Sequence, residues 1–243
     1  MIKKILLTLF AVMATAAPAV AQSVNIDLGE SGGSSTARIV QLVLLLTVLS
    51  VAPGILVMVT SFTRIVIVFS IARQALGTSQ TPTNSILIAL ALFMTGFIMT
   101  PTFEKAWNEG IYPLTQEKIS TEAAVQRTVA PFREFMLKNV REKDLQLFMG
   151  FSKTPKVEKP EDTPLQALVP AFMISELRRA FEIGFLIYVP FLIIDMVVAS
   201  VLMSMGMMML PPSMLSLPFK LIFFVLIDGW YMLVGSLVKS FAT

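Results

Sequence analysis

Three ionisable residues stand inside apolar runs: Asp195, Lys220 and Asp228. A charge in such a setting is costly, so it usually faces a protein interior or water and finds a partner. The two carboxylates could relay a proton, form an aspartyl dyad, or tie helices together by pairing with Lys220 or an arginine. Pairing between helices or subunits demands the least of the sequence. Composition excludes most other chemistry. The 243 residues include no histidine and no cysteine. That removes imidazole bases, Ser-His-Asp and Cys-His sites, histidine metal ligands, disulfides and zinc-cysteine centres. No cofactor and no metal is expected, and the composition argues against a soluble globular enzyme. A net charge of +3, from 19 basic and 16 acidic residues, is too small a surplus for nucleic acid.

Other charged residues suggest contacts rather than catalysis. Arg64 lies between two apolar runs, where it either ends a helix at an interface or meets a partner subunit. Arg73 precedes Gly77 and marks a helix C-terminus. Met173, Leu177, Ala180, Phe181 and Gly184 form one face of a helix. Glu176, Arg178, Arg179 and Glu182 line another, with Arg178 and Glu182 spaced to pair. That polar face is either solvated or an assembly interface.

Methionine is the most unusual feature. Six of the 16 methionines fall at Met203, Met205, Met207, Met208, Met209 and Met214. Methionine is flexible and polarizable, so it packs irregular space or re-packs around a moving object. Pro211-Pro212 is expected to end the helix there and hold the methionines at a loop. Around a symmetry axis they would form an apolar constriction that yields to a passing chain.

The elements that must position these residues follow from hydropathy. Hydrophobic residues make up 55% and charged residues 14%, with a mean hydropathy of +0.77. This describes a membrane chain rather than a soluble domain. Residues 1–21 read as a cleavable signal peptide, with Lys3 and Lys4 before a short apolar run and Ala19-Val20-Ala21 at its end. Cleavage would fall between Ala21 and Gln22. Residues 22–38 form a polar, flexible lead-in. Four apolar stretches follow: Ile39 to Phe62, broken at Pro53-Gly54, then Ile86 to Thr100, Phe185 to Leu210 and Leu217 to Val238. The second is short for a span, at about 22 Å of helix.

Between them lies a charged insert, residues 101–165, with ten basic and ten acidic residues. Ser120 to Ala130 is expected to form one helix, and Pro131 to open a second running to about Met149. Phe132, Phe135, Met136 and Val140 would face a partner. Phe151 to Pro164 reads as a loop. No strand pattern appears, so the class is all-α. The domains are thus the leader, the lead-in, a first hydrophobic hairpin (39–100), the insert, and a second hydrophobic hairpin with its Met-rich loop (166–243). With the mature start outside, four crossings leave insert and C-terminus outside, and Arg64 and Arg73 in a cytoplasmic loop. Arg178 and Arg179 fall on the outer side, against the usual charge bias.

The stretch from Pro170 through Ser175-Glu176-Leu177-Arg178-Arg179 to Gly184 resembles one signature of the FliP family. Pro190 to Met207, carrying Asp195, resembles the other. Thr60-Ser61-Phe62-Thr63-Arg64-Ile65, Arg73 to Gly77, Pro82-Thr83-Asn84, Leu217 to Lys220 and Asp228-Gly229-Trp230 are also similar to that family. The resemblance covers nearly all of the chain after the leader.

The resemblance implies a flagellar type III export-gate subunit in the bacterial inner membrane, on the periplasmic side of the basal body. It implies membrane-type helical hairpins with a small periplasmic insert, assembled into a multi-subunit helical pore. The implied partners are other copies of the chain, FliQ and FliR, then FlhA, FlhB and the basal-body ring. The implied cargo is unfolded flagellar subunits. Met207, Met208 and Met209 would form the pore gasket, supported by Met203, Met205 and Met214. Arg64, Arg73, Glu176, Arg178, Arg179, Glu182, Asp195, Lys220 and Asp228 would make assembly contacts. An equivalent subunit of a virulence secretion system, a small-solute or ion transporter, and an intramembrane hydrolase are the alternatives. A transporter is expected to show repeated halves, and none is seen.

Overall fold

The computed structural model describes residues 34–78, 80–151, 162–207 and 211–242. The expected leader with its cleavage site at Ala21 and Gln22, most of the expected lead-in, and most of the loop expected after Phe151 lie outside these residues. Among the described residues the secondary structure is helical: α1 (Ser34–Val59), α2 (Phe62–Leu76), α3 (Asn84–Ala106), α4 (Tyr112–Thr115), α5 (Thr121–Asn139), α6 (Glu142–Phe151), α7 (Leu165–Ser204), α8 (Pro212–Leu226) and α9 (Gly229–Ala242). A π-helical turn, Trp107–Ile111, joins α3 to α4.

The chain divides into two units, residues 1–50 and residues 51–243. The first contributes the N-terminal part of α1, whose apolar side chains Val43 to Leu46, Val48 and Leu49 are exposed. The break expected at Pro53-Gly54 does not form, because α1 runs through Pro53 to Val59. The break comes at Thr60-Ser61, where the Thr63 hydroxyl donates to the Val57 carbonyl across it at 3.1 Å.

In the second unit, α2 forms the centre. Ile65, Val68, Phe69, Ala72, Ala75 and Leu76 are all buried. They pack with Leu87, Ala91 and Met94 of α3, Ala180 and Phe191 of α7, Phe224 of α8, and Leu233 and Leu237 of α9. The sequence placed this segment in a loop between two spans. Its 15 residues instead form a core helix, too short to cross a bilayer at about 22 Å. It ends as expected: Gly77 adopts φ 77° and its N–H donates to the Gln74 carbonyl.

The insert differs from expectation at Pro131. The proline lies buried inside one continuous helix, α5, which starts where the Ser120 hydroxyl caps the Ala123 N–H. The break falls at Val140, in extended conformation, with neither glycine nor proline to mark it. A tertiary contact explains it: the Arg141 N–H donates to the Ser175 hydroxyl of α7 at 3.0 Å. A second apolar cluster joins the insert to the rest of its unit, where Met136 packs with Val59, Leu168 and Phe172, and Phe132, Phe135 and Val140 pack around them. The partner foreseen for that face is within the same chain.

Three helical segments are long and apolar enough to cross a membrane: Leu42–Val59, Asn84–Thr115 and Leu165–Ser204. The second exceeds its expected length because helical structure continues through Pro101 beyond Thr100. The fourth expected span is broken, since α8 and α9 meet at a 61° bend. Asp228 occupies that bend with φ 51°, a conformation aspartate tolerates better than most residues.

Candidate functional site: three polar joints and a methionine turn

The deepest polar joint is built on Arg64. Its side chain is fully buried. Its Nε donates to Glu176 Oε2 at 2.8 Å, and Nη2 donates to Oε1. Nη1 donates to the Ser240 carbonyl at 3.1 Å and to its hydroxyl at 2.9 Å. The guanidinium stacks over the Phe241 ring, 3.7 Å from its centre. Phe241 stacks on Phe135, which meets Phe172 edge-on. One cation thereby ties α2 to α7 and α9, and through the rings to α5. A planar fork suits this joint where an ammonium would not. Glu176 departs from the polar face assigned to it. It sits on the buried stripe of α7 with Ala171, Phe172, Ser175 and Ala180. Leu177 and Phe181, placed on one face with Ala180 and Gly184, are exposed where those two are buried.

The second joint fixes the insert to α7. Asp144 receives Arg141 Nε at 2.9 Å and Nη2 at 2.8 Å, and the Ser175 hydroxyl at 2.6 Å. The Arg141 guanidinium, opposed by burial and helped by Ser175, holds the Asp144 carboxyl down at about 2. A depressed carboxyl stabilises the fold fully above its ordinary value of 3.8, and that contribution declines below it until it is gone once pH has fallen through about 2. The joint is therefore ionised across the neutral range.

The third joint clasps the second hairpin. Lys220 Nζ donates to Asp195 Oδ2 at 2.6 Å, and the Ser216 hydroxyl to Oδ1 at 2.6 Å. Lys220 and Ser216 are buried, while Asp195 is half-buried. Asp195 thus has the cationic partner its setting demanded. Asp228 does not: it is exposed at the bend, and its carboxylate has no partner among the described residues. The remaining charges are peripheral. Arg178 and Glu182 pair at 2.8 Å on an exposed face, with Arg179 half-buried beside them. Arg73 Nη1 donates to Asn84 Oδ1 at 2.7 Å and to the Pro82 carbonyl at 3.2 Å, bracing the turn between α2 and α3.

Beyond the third joint lies the methionine turn. Helix α7 ends at Ser204, before the prolines expected to end it. Gly206, at φ 74°, donates to the Met203 carbonyl, and the Met207 N–H reaches back to Leu202. This is a Schellman stop, which needs a residue free to adopt positive φ. Pro211 and Pro212 instead start α8, where a missing N–H costs nothing. Met203, Met205, Met207 and Met214 are all exposed around the turn. Met208 and Met209 lie outside the described residues.

Sequence reasoning found Arg64, Asp195 and Lys220 because they are charges among apolar neighbours, and Glu176 only as part of a polar helix face. It missed Ser175, Ser216, Ser240 and Asp144, which complete the joints. Small hydroxyls in apolar helices were the available signal for the serines.

The sequence profile described as the FliP family matches residues 45–237. The flagellar biosynthetic protein FliP of Bacillus subtilis is 60% identical over 202 residues, covering 83% of this chain and 91% of its own. That of Caulobacter vibrioides is 57% identical over 226 residues, covering 93% of this chain and 85% of its own. That of Rhizobium meliloti is 56% identical over 237 residues, covering 96% and 97%. With its profile matched along most of its length and its relatives matched nearly end to end, the chain belongs to the FliP family of flagellar biosynthetic proteins.

Proposed function

We propose that this chain, a membrane-embedded subunit of the flagellar protein-export apparatus, lines the conduit for unfolded flagellar subunits with its methionine turn. Several copies assemble with FliQ and FliR, beside FlhA, FlhB and the basal-body ring. The insert and much of the helical assembly stand on the periplasmic side. The chain holds a path closed or open and carries no catalytic group of its own.

The observation that supports this reading is the turn between α7 and α8. Four methionines project from it uncovered, Met203, Met205, Met207 and Met214, while Asp195, Lys220 and Ser216 fasten the two helices behind it. A fastened stem with a deformable apolar tip suits a seal that must exclude water and ions yet yield to a chain. Met207, Met208 and Met209 would form the seal proper.

Replacing those three with alanine is expected to leave the complex assembled and the membrane leaky. Sodium or chloride entry into cells carrying the triple change measures it. A tight membrane with normal amounts of complex would rule out the seal.

A further inference from the structure

A cavity of about 360 Å³ opens between α7 and the bend that joins α8 to α9. Leu186, Ile187 and Pro190 of α7 form one wall, and Phe224, Met232 and Leu233 the other. None of its lining residues is charged, and Ser236 is the one polar side chain among them. The bend creates the space. Gly229 permits the bend, because a Cβ there would run into the Phe224 ring.

Met232 and Ser236 also border a second hollow, of about 630 Å³. Lys239 borders it too, with Trp230, Tyr231 and, from α3, Leu90. Met232, Ser236 and Lys239 follow one another at helical spacing, so apolar slot and cation share one face of α9, about 10 Å apart along the axis. Lys239 is exposed and forms no ion pair with a described residue. Tyr231 and Trp230 lie at the other end of α9, level with the slot, where Tyr231 is exposed and Trp230 half-buried.

The geometry points to a binding site for an anionic phospholipid, one acyl chain in the slot at the α8–α9 bend and the phosphate at Lys239. The charge decides between occupants. An apolar partner helix would fill the slot and leave Lys239 uncompensated. A free phosphate would neutralise Lys239 and leave the slot empty. An anionic amphiphile satisfies both, and the two features lie within the reach of one lipid molecule. Such a lipid would brace the bend against α7, where no side chain of the described residues fills the space.

The test uses the full chain, purified in non-ionic detergent with its co-expressed neighbours. Phosphatidylglycerol or phosphatidylcholine of identical acyl chains is added, and retained lipid is counted by native mass spectrometry. Phosphatidylglycerol is expected to be retained roughly fivefold over phosphatidylcholine, the effect of one basic residue at an anionic surface. Lys239→Gln should erase that preference while both lipids still bind. Ser236→Phe, which fills the slot, should lose both. Should Ser236→Phe fail to assemble, the headgroup preference and Lys239→Gln decide alone. Equal retention of both lipids by the unaltered protein would overturn the proposal. So would full displacement of phosphatidylglycerol by millimolar inorganic phosphate, which marks a bare anion site. A crosslink from position 239 to a partner subunit, with no lipid retained, would assign the surface to that subunit instead.

Discussion

Arg64 is the residue on which most of the fold converges. Its guanidinium uses Nε and both terminal nitrogens on partners 112 and 176 residues away in sequence. Removing water from two charges is expensive, and only the bidentate geometry with the added Ser240 bonds offsets that cost. The pair therefore serves better to specify one arrangement of α2, α7 and α9 than to add net stability. Arg64→Ala should leave Glu176 buried without a partner and cost about 3–5 kcal/mol. Arg64→Lys should be nearly as damaging, since an ammonium cannot span both carboxylate oxygens and Ser240. Combining Arg64→Met with Glu176→Met should recover much of the loss. Yield and thermal midpoint of the detergent-solubilised complex measure all three. A double variant no better than Arg64→Ala would mean that the charge pair itself, and not the orphaned carboxylate, sets the cost.

At the scale of elements, α2 and α7 pack tightly at Gly184. A Cβ at Gly184 would approach Ile71 Cγ2 to 3.0 Å and Ile71 Cβ to 3.2 Å. The second of these is rigidly attached to the backbone of α2, so the helices must part. Gly184→Ala should destabilise by about 1–3 kcal/mol through overpacking. Ile71→Ala should rescue part of that loss in the double variant while costing stability alone, a coupling that a thermodynamic cycle would reveal. Strict additivity would show that the two side chains do not compete for space. How much of this architecture the sequence discloses depends on where the decisive contact lies. Apolar runs disclosed the membrane-type helices, and Arg73 with Gly77 disclosed the end of α2, because each signal is local. Pro53 and Pro131 misled, since a helix can continue through proline when its neighbours hold it. The break at Val140 was invisible because Ser175, 34 residues beyond Arg141, stabilises it. Glu176 was placed on the wrong face for a related reason. Charge usually turns outward on a helix, and only the distant Arg64 makes burial tolerable.

At the scale of the whole molecule, the described surface is too apolar for a chain that stands alone. Phe93 is 81% exposed, Leu186 71% and Val225 75%, on three different helices. Large contiguous apolar surface on a protein marks contact with lipid or with another protein. Lipid alone would suit the long segments of α1, α3 and α7. It does not suit α2, a buried helix carrying a charge, or the sharply bent α8–α9 pair. A unit that buries one short helix and bends another has a core of its own, and the exposed apolar faces of its helices are left for neighbours. Expression alone should therefore give aggregated or heterogeneous material even in detergent. Co-expression with the chromosomal neighbours should give a complex of defined mass containing several copies of this chain and two other small membrane proteins. Native mass spectrometry distinguishes the outcomes directly. A stable monomer or simple dimer under the same gentle conditions would remove the ring of methionines, because one or two turns cannot close around an axis. It would also return Met203, Met205, Met207 and Met214 to ordinary packing against lipid. A multi-copy mass would make the ring geometrically attainable, and the leak caused by the triple alanine change would then be a property of the assembly rather than of any one subunit.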